Sequence, residues 1–308
     1  MNISKGLKRT AAIAACALVA AAPSFGAPAD WPNYALRIIS VHPLGSVDDP
    51  ISKPIAEQLK QASKFQVALQ HHLLDAPTSG VQVIADSVPN GQSLGVLGSD
   101  PRPVVLKPIS LLAKSPLVLA THPQQSYQGF QDVIQAARRR PGQVLIGATG
   151  GKSWGQLAIE EFNAREAVTL KALLYKANAP LVADLISGRI GLAVMPLSVA
   201  LPHAKAGRIK VIGISSKAAD PRLAQVRPLA AQGLADYELH AWWGAFVAPK
   251  VSDDIANQIS ARLISLGQDS KFLQAMHSMG VDLQLQDSAA LIRALETDNS
   301  RWAAHKGN

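Results

Sequence analysis

The chain has 308 residues, 48% of them hydrophobic and 17% charged, with a formal net charge of +8 and one cysteine. That length and apolar share are enough for one large globular domain or two smaller ones. The basic excess is mild and forms no dense stripe, which argues against nucleic acid as a partner and suits a small anionic ligand.

Lys5, Lys8 and Arg9 precede an unbroken run of small and apolar residues over 10–22. Ser24-Phe25-Gly26 and Ala27-Pro28-Ala29 then each offer small residues at the −3 and −1 positions of a cleavage site. This pattern predicts a signal peptide over 1–26 and a periplasmic mature protein, because the run is too short to cross a bilayer. A lipoprotein signal ending at Cys16 is the rival reading, and the short apolar stretch before that cysteine opposes it. Loss of Cys16 with the leader removes the only cysteine, which excludes disulfides and thiol nucleophiles. It also lowers the net charge of the mature chain, since the leader carries three basic residues and no acid.

Strand-like and helix-like segments then alternate. Residues 36–41 read as a strand, followed by Asp49-Pro50 as an N-cap with proline at the first helical position. Ile51, Ile55 and Leu59 make the apolar stripe of that helix. Residues 65–69 and 93–97 read as strands, the second preceded by the turn Pro89-Asn90-Gly91. A strand over 117–121 leads to a helix with stripe Phe130, Val133, Ile134 and Ala137, ending in Arg138-Arg139-Arg140, where cations suit a helix C-terminus. A strand over 143–148, a helix from Ser153, an extended segment over 170–175, a helix over 180–187 and a strand over 191–195 follow. A short helix over 200–206 stops at Gly207 before a strand over 209–215. The aromatic segment 240–247 reads as extended, and the tail carries helices with stripes at Ile255, Ile259 and Leu263, and at Leu291, Leu295 and Trp302. Such alternation predicts an α/β architecture with largely parallel sheets. No linker separates two halves, so 117–121 and 240–247 are expected to cross between lobes.

The segment 145–159, LIGATGGKSWGQLAI, carries the most chemical information. A strand, a glycine-rich turn and a helix start aim backbone N–H groups and a positive helix end at one point. Gly151-Lys152-Ser153 resembles the end of a phosphate loop, but the required upstream glycine is replaced by Ile146, and Gly147 sits one residue too close. Gly151-Lys152-Ser153-Trp154-Gly155 fits a nucleophile elbow, which would make Ser153 an esterase nucleophile with an acid such as Asp184 or Asp220 and then His240 or His277. Ser153 and Gln156 also have capping-box spacing, the bland alternative for that serine. A third reading is an anion cradle, in which N–H groups around Thr149, Gly150, Gly151 and Lys152 face a ligand, with the Lys152 charge and the Thr149 hydroxyl beside them. His71 and His72 are neighbours on a strand and point to opposite faces, so no metal or cofactor is expected from them.

A second turn of the same kind, Val41-His42-Pro43-Leu44-Gly45-Ser46-Val47-Asp48-Asp49, follows the first strand. The pair resembles the periplasmic solute receptors of the tripartite tricarboxylate transporter family, often called Bug receptors. Their first turn reads V-P-F-P-A-G-G-x-x-D, matched here at Pro43, Gly45 and Asp49. Their second turn, Y-A-S-x-G-x-G, is similar to 146–152. Leu174-Tyr175-Lys176-Ala177 resembles P-Y-K-G, 206–210 resembles A-G-K-L-R, and 243–249 resembles W-x-G-L-x-A-P. The motifs keep their order over nearly the whole mature chain. Departures are the loss of most glycines from the turn at 73–80, Gln156 for a histidine, Gly191 for an acid, and a second carboxylate at Asp48.

The resemblance implies a two-lobe, periplasmic-binding-protein-like α/β fold with hinge strands, lobe 1 being 27–117 plus 247–308 and lobe 2 being 118–246. It implies a monomeric receptor, not an enzyme, that binds a small carboxylate without cofactor or metal and delivers it to membrane transporter subunits. A receptor feeding a sensor ectodomain is an alternative. The expected ligand contacts are Pro43, Leu44, Gly45, Ser46 and Asp48 from the first turn, and Thr149, Gly150, Gly151, Lys152 and Ser153 from the second. Tyr175 and Lys176 are expected to line the cleft. Asp48 is the feature least suited to a dianion; Asp49 is harmless if it is spent capping the helix.

Overall fold

The computed structural model describes Trp31 and residues 35–41, 49–62, 66–71, 77–98, 106–150 and 153–305. The leader, the first turn from Pro43 to Asp48, and Gly151 and Lys152 lie outside the described residues.

In chain order the elements are β1 (Leu36–Ser40), α1 (Ser52–Ala62), β2 (Val67–His71), α2 (Pro77–Ala85), β3 (Ser93–Gly98), β4 (Lys107–Thr121), α3 (Phe130–Arg139), β5 (Leu145–Thr149), α4 (Trp154–Glu166), β6 (Lys171–Tyr175), α5 (Asn178–Ile186), β7 (Leu192–Pro196), α6 (Leu197–Lys205), β8 (Lys210–Ile214), β9 (His240–Val247), α7 (Asp253–Ser265), α8 (Ser270–Ser278), β10 (Asp282–Gln286) and α9 (Ser288–Ala304). Most expected elements appear within a few residues. The α3 stripe is buried as its spacing requires, and Asp132 accepts the backbone N–H groups of Gln128 and Gly129 at its N-terminus.

The strands run in the order β2-β1-β3-β9-β4-β7-β5-β6, with β8 and β10 also pairing to β4. Two parallel units flank a central antiparallel group. β1 pairs parallel with β2 and β3, and β5 pairs parallel with β6 and β7. All pairings of β4 and β9 are antiparallel, so the expectation of a largely parallel sheet holds only for the flanks.

β4 joins the halves. Its first part pairs with β9 and β10, and from Leu117 to Thr121 it pairs with β7 and β8. The segment 240–247 does not cross: β9 pairs along its length with β3 and the first part of β4. Its apolar character comes from burial within one part of the sheet. The chain returns to the first half just before β9, since Pro228 still pairs with Ile214 of β8 and Gln232 still accepts the N–H of Phe130 of α3. The buried Ser215 hydroxyl accepts the N–H of Leu117 at 2.8 Å and donates to the carbonyl of Leu239.

Two apolar clusters are present, and the larger draws on both halves. The larger includes Ile38, Ile55, Leu94, Phe130, Phe162, Trp242 and Phe246; the smaller gathers Val118, Leu181, Leu185, Met195 and Leu201 under α5 and α6. Arg222, in the short 3-10 turn Pro221–Leu223 after β8, ties the halves from outside. Its buried guanidinium donates to Asp220 at 2.6 and 2.8 Å, and to both carboxylate oxygens of Asp282 on β10 at 2.9 Å.

Candidate functional site

The C-terminal edges of the parallel strands hold two strand-to-helix turns. At the first, Asp49 acts on the helix as its position predicts. One carboxylate oxygen accepts the N–H of Ser52 at 2.9 Å, and the other accepts the hydroxyl of Ser40 at the end of β1. Asp49 is therefore spent on α1 and Ser40.

The second turn follows β5. Ser153 is the N-cap of α4: its hydroxyl accepts the N–H of Gln156 at 3.2 Å and donates to the carbonyl of Thr149. The N–H groups of Trp154 and Gly155 meet no acceptor among the described residues. They are the open donors of α4, at the positive end of the helix dipole. Gly150 is different, because its N–H donates to the carbonyl of Tyr175 at 2.9 Å and closes the turn onto β6. Gly151 and Lys152, further donors expected from the sequence, lie outside the described residues.

Among the described residues, Ser153 has neither of the partners an elbow nucleophile requires. His240 lies 3.8 Å from Glu238, His277 lies 2.8 Å from Asp282, and neither shares a hydrogen bond with Ser153. Its proton points to a backbone carbonyl, so the capping role accounts for this serine.

Tyr175 and Lys176 end β6. The Tyr175 ring packs against the smaller core, and its hydroxyl donates to Asp184 of α5 at 2.9 Å. Burial first, and then Asp184, push its pKa up to about 12. Arg189 pairs with the other oxygen of Asp184 at 3.0 Å. The phenol proton is therefore committed within the second half, while Lys176 stays exposed in the turn before α5.

Trp154 ties the start of α4 to the end of β3 and to α9. Gly98, at the end of β3, lies so close that a Cβ there would sit 3.2 Å from the Trp154 ring. β3 is the neighbour of β1, with Ser40 opposite Val96. The Trp154 indole N–H donates to Asp298 of α9 at 2.9 Å, and the Trp242 indole of β9 donates to the same oxygen at 2.8 Å. The rings of Trp154 and Trp242 meet edge-on at 5.9 Å, and Trp243 lies 6.2 Å from Trp154. Burial pushes the Asp298 carboxyl up to about 6, against the pull of the two indoles and Arg301, with Glu161 adding to the rise. Sequence reasoning missed Asp298, which looks like any polar residue on the long C-terminal helix.

Residues 100–305 match the model of the family described as tripartite tricarboxylate transporter family receptor. The chain belongs to this family. Among curated relatives it is similar to the protein BugT of Bordetella pertussis, at 24% identity over 72% of this chain and 73% of that one. It is also similar to a protein encoded in the tcbD-tcbE intergenic region of Pseudomonas sp., at 21% identity over 88% and 85% of the two chains. Of solved structures, Rpa4515 of R. palustris with adipate superposes with a TM-score of 0.82 at 19% identity, covering 90% of this chain and 97% of that chain. MatC from Rhodopseudomonas palustris with bound malate superposes with a TM-score of 0.78 at 16% identity, covering 89% and 99%. Family membership makes this chain one of a set of solute-binding receptors with the two-lobe α/β fold of periplasmic binding proteins. No described helix is long and apolar enough to cross a membrane.

Proposed function

We propose that this protein is exported to the periplasm by its leader and captures a small carboxylate, an organic acid or an amino acid, between two lobes for membrane transporter subunits. The ligand carboxylate sits between the turn Pro43, Leu44, Gly45, Ser46, Asp48 and the start of α4, with Thr149, Gly151, Lys152 and Ser153 around it. The N–H groups of Trp154 and Gly155 at the start of α4, open among the described residues, carry this reading, since unpaired donors at a helix N-terminus suit an anion. Asp49, committed to α1, adds no opposing free carboxylate. The adipate and malate in two structural neighbours support the ligand class. The lobes divide at Leu117, and the pairing of β9 favours assigning 240–247 to lobe 1. Closing about β4 and the passage into β9 is the expected working motion.

Thermal shift against dicarboxylates, tricarboxylates, amino acids and aromatic acids tests the proposal. A ligand at a hundredfold its Kd adds about 2.7 kcal/mol. A panel in which no acid raises the Tm overturns it. Labelling by a fluorophosphonate that is lost on Ser153→Ala would instead establish the hydrolase reading.

A further inference from the structure

We infer that Asp298 is a positioning residue for the binding site: by holding the Trp154 indole it fixes the first turn of α4 in the pose that presents its open N–H groups to a ligand. The role of α4 in binding rests on the proposed function; the tether itself rests on geometry. Trp154 is the first residue of α4, directly after the cap Ser153. Its own N–H is one of the two open donors. The side chain of that residue is held at 2.9 Å by a carboxylate from α9, more than a hundred residues away. The same oxygen holds Trp242 of β9 at 2.8 Å, so the tie anchors α4 to β9 of the other half of the sheet. Gly98 and Trp243 close round the ring and leave it little room to turn.

A cavity of about 300 Å³ opens on the side of Asp298 and Trp242, between α9 and the strands β4 and β9. It gives protons a route to a carboxylate that is otherwise buried. The ionisable groups facing Asp298 are Arg301 and Arg293 on α9, Glu161 on α4, Lys114 on β4, Glu238 just before β9 and His240 at its start. An ionised Asp298 makes two charge-assisted bonds, and protonation weakens both. Ligand grip is therefore expected to loosen on acidification.

Two matched aromatic cuts, each with the same loss of ring volume, separate positioning from plain structure. Trp154→Phe and Trp242→Phe each remove one N–H donor to the same oxygen and keep an aromatic ring. With the carboxylate that shifts the wild type most as probe, calorimetry should show Trp154→Phe weakening binding about tenfold, within the range of one hydrogen bond to a charged group. Trp242→Phe should change it less than threefold. Asp298→Asn should bind with an affinity that no longer falls between pH 7.5 and 5.5. Amide exchange of the apo proteins supplies a readout that needs no ligand: protection in the first turn of α4 should drop in Trp154→Phe and not in Trp242→Phe. Equal effects of the two variants, or unchanged α4 exchange in Trp154→Phe, overturn the inference. Should the wild type bind no acid at all, the receptor proposal fails and the exchange comparison still decides the tether.

Discussion

Gly280, in the turn between α8 and β10, gives a stability prediction in which two effects can be separated. Its φ is +87°, and a Cβ built on it would sit 2.8 Å from the backbone N and 2.9 Å from the Cα of Ser198, in the first turn of α6. These are main-chain atoms and cannot rotate aside. Ser115 stitches the same contact, donating to the Gly280 carbonyl at 2.8 Å and accepting the N–H of Ser198 at 3.2 Å. Gly207 is the matched control, with φ +66° and nothing within 4 Å of a built Cβ. Alanine at either position carries the left-handed backbone penalty, about 1–2 kcal/mol, partly offset by a stiffer unfolded chain. At Gly280 a further roughly 1–3 kcal/mol of overpacking applies. Gly207→Ala should therefore lose about 1 kcal/mol and Gly280→Ala about 2–4 kcal/mol, built from those same terms. Urea denaturation followed by tryptophan fluorescence measures both, with an unchanged m-value as the sign that only stability has moved. Equal losses in the two variants would refute the claim that the two halves meet backbone to backbone at Gly280.

Three further predictions follow from single contacts. Ser153→Ala removes the α4 cap and should cost about 1 kcal/mol in denaturant melts, while Ser153→Gly should cost only a few tenths. Arg222→Met leaves Asp220 and Asp282 facing each other without their cation and should cost about 3–5 kcal/mol at pH 7, as for a broken buried ion pair; a loss below 1 kcal/mol would mean the network carries little. The Asp298 carboxyl is raised from 3.8 to about 6 in the folded state, so the native protein binds more protons than the unfolded chain between those values and gains stability as pH falls through that window. From pH 7.5 to pH 5, wild type should gain about 1 kcal/mol relative to Asp298→Asn, and parallel pH profiles for the two would show that Asp298 does not titrate there.

Local chemistry was the legible part of this chain. Asp49 and Ser153 cap helices because their neighbours two and three residues on supply the N–H groups, a relation contained within the sequence. The α3 stripe is equally local. β4 was only partly legible, since 117–121 reads as a strand and 107–116 does not. Pro108, Lys114, Ser115 and Pro116 break the apolar pattern, yet β4 is one strand of 15 residues. Pro116 stands where the strand passes from its β9 partner to its β7 and β8 partners, a place where a missing N–H is tolerated. For 240–247, apolarity reported burial and could not report which part of the sheet does the burying.

The turn at 145–159 illustrates the limit most sharply. Its letters admit a phosphate loop, a nucleophile elbow and an anion cradle, and nothing within those fifteen residues separates the last two. Two contacts do. The Ser153 proton goes to the Thr149 carbonyl, which leaves the hydroxyl without a base. The Trp154 indole goes to Asp298, which ties the helix start to the other half of the molecule. An elbow would need the residue after its serine only to make a tight turn and lend an N–H. Here that residue is a tryptophan whose ring spans from α4 to α9 and β9, so it couples the helix start to the other half of the sheet. Motif spacing describes the backbone of such a turn; the function depends on where its side chains are held.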